Sequence, residues 1–245
     1  MESGGASFPV SRTSTPASVD TSTKRTKICV YCGASAGFST LHVEAARALA
    51  RLMAENNIQL VYGGGTVGLM GEVAKTLVAL SGPDSVHGII PEALVRYERD
   101  PEYTSKVKNG DTTGHLPVPD ENVYGRTTIV KDMHTRKRMM AQEVLEGGPG
   151  SGFIALSGGY GTIEELFETA TWNQLGIHNK GICILNINGF YDGILSWINK
   201  SVEEGFIHGG NKNILVEAKT AEEAIAALRN YKVSDSVLKL SWNSQ

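Results

Sequence analysis

From Lys27 onward, short runs of apolar residues alternate with longer stretches in which apolar positions recur every three or four residues. The short runs Ile28–Tyr31, Ile58–Tyr62, Val86–Ile90, Phe153–Leu156, Gly181–Ile187 and Ile214–Glu217 predict strands. The longer stretches predict helices near Thr40–Glu55, Leu69–Leu80, Thr128–Glu146, Ile163–Leu175, Tyr191–Glu204 and Ala221–Tyr231. Alternation of strand and helix implies parallel βαβ units. The expected fold is therefore α/β: one doubly wound, mainly parallel sheet of about six or seven strands with helices on both faces.

The pattern fails in three places. Residues 1–26 hold 11 Ser or Thr and two Pro without apolar periodicity, too little burial to offset chain entropy, and predict a disordered tail. Between Val95 and Thr127 the chain turns polar, with Asp100-Pro101, Asn109-Gly110 and Pro117-Val118-Pro119, the composition of a lid or an unstructured segment. Residues 233–245 follow the last helix as a C-terminal tail, which leaves 27–232 as a single domain.

Composition narrows the function. The 245 residues carry 23 basic and 26 acidic side chains, a net charge of −3, and no run of one sign. Electrostatic capture of nucleic acid and polybasic membrane anchoring are thereby disfavoured. No stretch approaches the ~20 apolar residues of a membrane span, and the N-terminus lacks the apolar core of a secretion signal, so a cytoplasmic protein is expected. Cys29, Cys32 and Cys183 form no disulfide framework. Cys29 and Cys32 make a C-x-x-C, but one inside an apolar strand run and without a second ligand pair. Two small buried residues, and no metal, are expected there.

Glycine is over-represented, at 28 of 245 residues, and clusters after strands. Gly63-Gly64-Gly65-Thr66-Val67-Gly68 follows Ile58–Tyr62 and opens a helix, which satisfies G-x-G-x-x-G. A dinucleotide fingerprint, however, belongs on the first βαβ unit with an acidic residue ending the next strand. Here the loop lies on the second unit, and the next strand ends Ile89-Ile90-Pro91-Glu92. What survives is close approach of backbone amides to a ligand at a helix N-terminus. Ser157-Gly158-Gly159-Tyr160-Gly161-Thr162 leaves Phe153–Leu156 and enters a helix at Ile163-Glu164-Glu165. Its amides, the helix dipole and the Thr162 hydroxyl converge where a phosphate fits. Thr162-Ile163-Glu164-Glu165 also reads as a capping box, in which Glu165 merely bonds the Thr162 amide. Capping and catalysis are equally compatible with that spacing.

On the basic helix, Ile129, Met133, Met140 and Val144 fall on one stripe with Arg136 in its gap. An inward arginine needs a partner: either Asp132 one turn back, or a ligand in the crevice, with Lys137 beside it. Lys131 and Arg138 read as solvated surface.

Met133-His134-Thr135-Arg136-Lys137 and Gly158-Gly159-Tyr160-Gly161-Thr162-Ile163-Glu164-Glu165 resemble the paired signatures of the Lonely Guy family, the cytokinin-activating nucleoside 5′-monophosphate phosphoribohydrolases. The resemblance runs over roughly 27–231, through Tyr31-Cys32-Gly33-Ala34-Ser35, the first glycine loop, Ile89-Ile90-Pro91 and Thr171-Trp172-Asn173-Gln174-Leu175-Gly176. It implies a Rossmann-like subunit in at least a homodimer, with a hexamer as the larger alternative. It also implies no cofactor, and cleavage of AMP-type nucleotides to a free base and ribose 5-phosphate. Carried over, the catalytic residues are Arg136 and Glu165. Substrate contacts are Lys137, Gly158, Gly159, Tyr160, Gly161, Thr162, Glu164 and Thr171, with Gly63, Gly64, Gly65, Ser35 and Met133. Ser157 stands where the family has proline, and the segments 96–127 and Glu146–Gly152 are longer than its pattern. A carboxylate suits the oxocarbenium-like state of glycosidic cleavage, and a guanidinium suits charge on the departing base. Competing functions are a non-catalytic nucleotide or molybdenum-cofactor carrier of the same fold, a nicotinamide oxidoreductase, and a decarboxylase, for which no lysine stands in a recognisable pyridoxal site.

Overall fold

The computed structural model of the chain describes residues 24–95, 118–240 and 242. Its strands are β1 (Lys27–Tyr31), β2 (Gln59–Tyr62), β3 (Val86–Pro91), β4 (Arg126–Val130), β5 (Gly152–Ala155), β6 (Gly181–Leu185) and β7 (Leu215–Ala218). The helices are α1 (Thr40–Glu55), α2 (Gly68–Ser81), the single turn α3 (Glu121–Tyr124), α4 (Met133–Leu145), α5 (Tyr160–Gln174), α6 (Asp192–Glu203) and α7 (Ala221–Arg229). The strands form one seven-stranded sheet in the order β4-β3-β2-β1-β5-β6-β7, and every neighbouring pair is parallel. The chain walks outward from β1 to β4, then restarts at β5 on the other side of β1. Loops leaving β1 and β5 therefore diverge, and a doubly wound sheet opens its ligand crevice at that switch point.

Side-chain alternation sends the two faces of β1 into two cores. Ile28 and Val30 pack with α1, α2 and α7, whereas Cys29 and Tyr31 pack with α4, Leu166 of α5 and the helix α6 side. The three cysteines are free and buried, and Cys29 and Cys32 belong to opposite cores. Trp172, singled out within its motif, is half-buried against the second core. No helix among the described residues is long and apolar enough to cross a membrane.

The stretch expected as one helix from Thr128 to Glu146 is a strand followed by a helix. Thr127, Thr128, Ile129 and Val130 are β-branched, which suits an edge strand, and Asp132 then caps α4 by accepting from the Thr135 amide at 2.8 Å. Ile129 and Met133 accordingly lie off the core stripe, at 39% and 38% exposure, while Met140 and Val144 stay on it. The strand expected to reach Ile187 ends at Leu185, and α6 starts at Asp192 after a short 3-10 turn. Residues 1–23 of the N-terminal tail and 96–117 of the polar segment lie outside the described residues. The C-terminal segment packs on the end of α5, where the Leu238 amide donates to the Gln174 carbonyl at 3.0 Å and Trp242 Nε1 to Leu175 at 3.1 Å.

Candidate active site

The turn from β5 into α5 is held against the β1 loop by the Gly33 amide, which donates to the Ser157 carbonyl at 3.0 Å. A Cβ on Gly158 would lie 2.1 Å from Thr162 Oγ1, so only glycine permits this close approach. The helix starts at Tyr160 with Gly159 as its N-cap and no side chain capping it. That is three residues earlier than expected, so Thr162 sits inside the first turn and the capping box does not form. Glu165 is released from the cap and turns inward. The first-turn amides of a helix have no intrahelical acceptor, and a Cβ on Gly159 or Gly161 would meet no atom of the described residues within 4 Å. Packing does not demand glycine at either position; open space beside unpaired amides does suit an anion.

Both glycines line a cavity of about 270 Å³ whose walls include Cys32, Gly63, Met70, Arg136 and Glu165. Inside it, Arg136 Nη2 donates to Glu165 Oε1, and both residues are buried, at 7% and 8% exposure. Asp132, the alternative partner, is occupied by the Thr135 amide and hydroxyl. Burial pushes the Glu165 carboxyl above its ordinary range and the Arg136 charge opposes that shift. Arg136 Nε is buried without a hydrogen-bond partner among the described residues, a donor left open at a cost of roughly 1–3 kcal/mol until something accepts it. The turn that carries Glu165 is pinned from behind. Thr169 Oγ1 donates to the Glu165 carbonyl at 2.8 Å, so its oxygen must accept the Tyr31 hydroxyl 2.9 Å away.

The first glycine loop is built differently. The Leu69 and Met70 amides at the start of α2 both donate to the Gly33 carbonyl, at 3.0 and 3.3 Å. Gly68, at φ +59°, would place a Cβ 2.3 Å from the Ala34 carbonyl carbon. This helix N-terminus is already satisfied by the protein, and its glycines serve the packing of two loops. Gly63 nonetheless lines the cavity, and a Cβ there would stand 3.3 Å from Arg136 Nη1. Gly64 and Gly65 are buried behind it.

The remaining candidates scatter. Ser35 lines an adjoining cavity of about 630 Å³ that shares Gly33, Ala34 and Gly159 with the first. Tyr160 stands on the rim, 97% exposed. Lys137 is outside the cavity, its ammonium held by Glu164 and Glu168. Met133 is partly exposed at the start of α4, and Thr171 borders a separate hollow beside Phe167 and Trp197. Lys131 and Arg138 are exposed, as expected. Tyr31, Cys32 and Met70 line the cavity without having been singled out as site residues; the rule that ligands gather at the carboxyl ends of strands flanking a switch point points to the first two. Among the described residues no lysine lines the cavity.

A family model described as "possible lysine decarboxylase" matches residues 70–228. The chain is 53% identical over 201 residues to a "bifunctional cytokinin biosynthesis protein" of Fusarium pseudograminearum, covering 82% of this chain but 39% of that one. It is 39% identical over 227 residues to the "cytokinin riboside 5'-monophosphate phosphoribohydrolase LOG2" of Arabidopsis thaliana, covering 92% and 93%. Among solved structures, the molybdenum cofactor carrier protein of Chlamydomonas reinhardtii superposes with a TM-score of 0.55 at 16% identity, covering 84% of this chain and 97% of the carrier. A molybdenum cofactor binding protein of Rippkaea orientalis gives 0.54 at 18%, covering 84% and 96%. At such identities the likeness is one of fold.

Proposed function

The chain belongs to the family described as possible lysine decarboxylase, the family of the cytokinin riboside 5'-monophosphate phosphoribohydrolases, and on that premise we propose that it hydrolyses the N-glycosidic bond of cytokinin riboside 5′-monophosphates and of AMP. The products are the free base and ribose 5-phosphate. The observation that carries this reading is the buried Arg136–Glu165 pair lining the same cavity as the open start of α5. In this reading the 5′-phosphate sits on the first-turn amides of α5, between Gly159 and Gly161, with Thr162 at their base. That places the ribose toward Glu165, one turn down the helix.

Cleavage then proceeds by departure of the base with the electron pair of the C1′–N bond. The Glu165 carboxylate stabilises the oxocarbenium-like state and takes the proton of the water that adds to C1′; the departed base takes up a proton from solvent water as Glu165 gives its own back, which completes the free base. Arg136, through its unpaired Nε, offsets the charge that builds on the base. The adjoining 630 Å³ cavity supplies room beyond a mononucleotide. We place this chemistry in the cytoplasm, in keeping with three free buried thiols, and in a homodimer, for which the exposed Trp197 on α6 and Phe206 just after it offer an apolar surface.

The test is incubation with AMP, adenosine and ATP at equal concentration, with chromatography of released adenine. AMP should be cleaved at least about a hundredfold more efficiently than adenosine, because binding at the remote phosphate positions the reacting bond. Equal rates for the two would refute the phosphate site. A carrier would release no adenine from any of them.

A further inference from the structure

We infer that Ser157 and His42 are positioning residues: the hydrogen bond between them fixes the Gly158-Gly159 turn, so that the first-turn amides of α5 stand ready for a phosphate. The inference rests on the phosphate seat of the proposed hydrolysis. Ser157 is buried, Gly158 is half-buried and Gly159 is exposed. Glycine has the widest backbone freedom of any residue, and a Cβ on Gly159 would meet no atom of the described residues within 4 Å. The last fixed point before the open amides is therefore Ser157. A proline, as in the family pattern at this position, would hold φ through its ring. Serine has no ring, and its side chain is held from outside instead, with Oγ 2.9 Å from His42 Nδ1.

The contacts around this bond close on themselves. The Tyr191 hydroxyl donates to the Leu156 carbonyl at 2.6 Å. Tyr191 meets Phe190 edge to face, with ring centroids 4.9 Å apart, and Phe190 meets His42 in the same way at 5.6 Å. His42, in the first turn of α1, then returns to Ser157. Because Leu156 and Ser157 are neighbours in the chain, the circuit ties the end of β5 to α1 and to the start of α6. The Leu156 and Ser157 carbonyls would be bonded whatever side chain stood at 157; only the His42 contact needs the serine. Both residues line the adjoining cavity of about 630 Å³, and neither lines the one that holds Arg136 and Glu165. Their effect therefore passes through the loop and not through the reacting atoms.

The test measures ribose 5-phosphate binding by calorimetry, and hydrolysis of AMP and adenosine, in Ser157→Ala, His42→Phe, the double variant and Ser157→Pro. His42→Phe keeps a ring against Phe190 and removes Nδ1. Each single variant should weaken ribose 5-phosphate binding and raise the KM for AMP about tenfold, the loss of one preorganising hydrogen bond. Adenosine, which has no phosphate, should keep its kcat/KM within about threefold. The double variant should be no worse than the weaker single within about twofold, since one bond is lost in all three. Ser157→Pro should bind within about threefold of the unaltered protein, because its ring replaces the bond. A lowered melting temperature with unchanged affinity would make the pair merely structural and overturn the inference, as would additive losses or equal losses for AMP and adenosine. A folded Ser157→Pro that binds as weakly as Ser157→Ala also overturns it; if that variant does not fold, the double variant decides. Should the unaltered protein bind ribose 5-phosphate but release no adenine, the proposed hydrolysis fails and the binding series alone decides the inference. Should it not bind ribose 5-phosphate, the phosphate seat and the inference fall together.

Discussion

Glu165 is held out of water against a guanidinium, and two opposed effects act on its proton. Burial raises its pKa and Arg136 resists, so a carboxylate that must be ionised to receive a proton should give an acidic limb in the kcat/KM profile above the ordinary carboxylate range. Glu165→Gln should abolish that limb and cut kcat by about 10²–10⁴. Arg136→Met removes the group that opposes burial, so any residual activity should show the limb moved to higher pH. A limb unmoved in that variant would assign it to another group. The neighbouring arginine supplies the control: Arg138 is exposed, and Arg138→Ala should keep the rate within about twofold, as surface changes away from a site commonly do.

At the scale of elements, two helix N-termini face the same crevice and differ in one respect. The start of α2 is closed by the Gly33 carbonyl, and the start of α5 is open. Gly161→Ala should therefore leave stability unchanged or raise it by up to about 1 kcal/mol, since alanine is the better helix former and meets no atom there. AMP binding by calorimetry should nevertheless weaken sharply, because the new methyl occupies the space beside the amides. Gly158→Ala should do the reverse and lower the melting temperature, since its Cβ collides with Thr162. Undiminished AMP affinity in a folded Gly161→Ala protein would move the phosphate elsewhere.

For the whole molecule, the strand order sets where chemistry can occur. The restart of the chain at β5 beside β1 brings the Tyr31–Ser35 and Ser157–Thr162 loops together, and α4, which follows the edge strand β4, packs back over the central strands to deliver Arg136. The proposed homodimer should appear in light scattering at twice the 26.3 kDa chain mass, and Trp197→Asp should shift it toward monomer. A monomer at micromolar concentration in the unaltered protein would refute it.

Strand and helix periodicity, the two glycine loops at strand ends and the inward phase of Arg136 are all legible in the sequence, because apolar spacing and turn chemistry are local properties. The phase of Arg136 follows from Met140 and Val144 alone; Ile129 and Met133 were expected on the same stripe and are not, since β-branched residues before Asp132 form a strand whose partner β3 is distant in the chain. The role of Glu165 was locally undecidable. Thr162-x-x-Glu165 is equally compatible with a capping box and with catalysis, and what removes the cap is where α5 begins, which leaves Glu165 to meet a guanidinium 29 residues away. Likewise both glycine loops look like anion sites in sequence, and only the tertiary structure, by folding the Gly33 carbonyl onto one of them, leaves the other open.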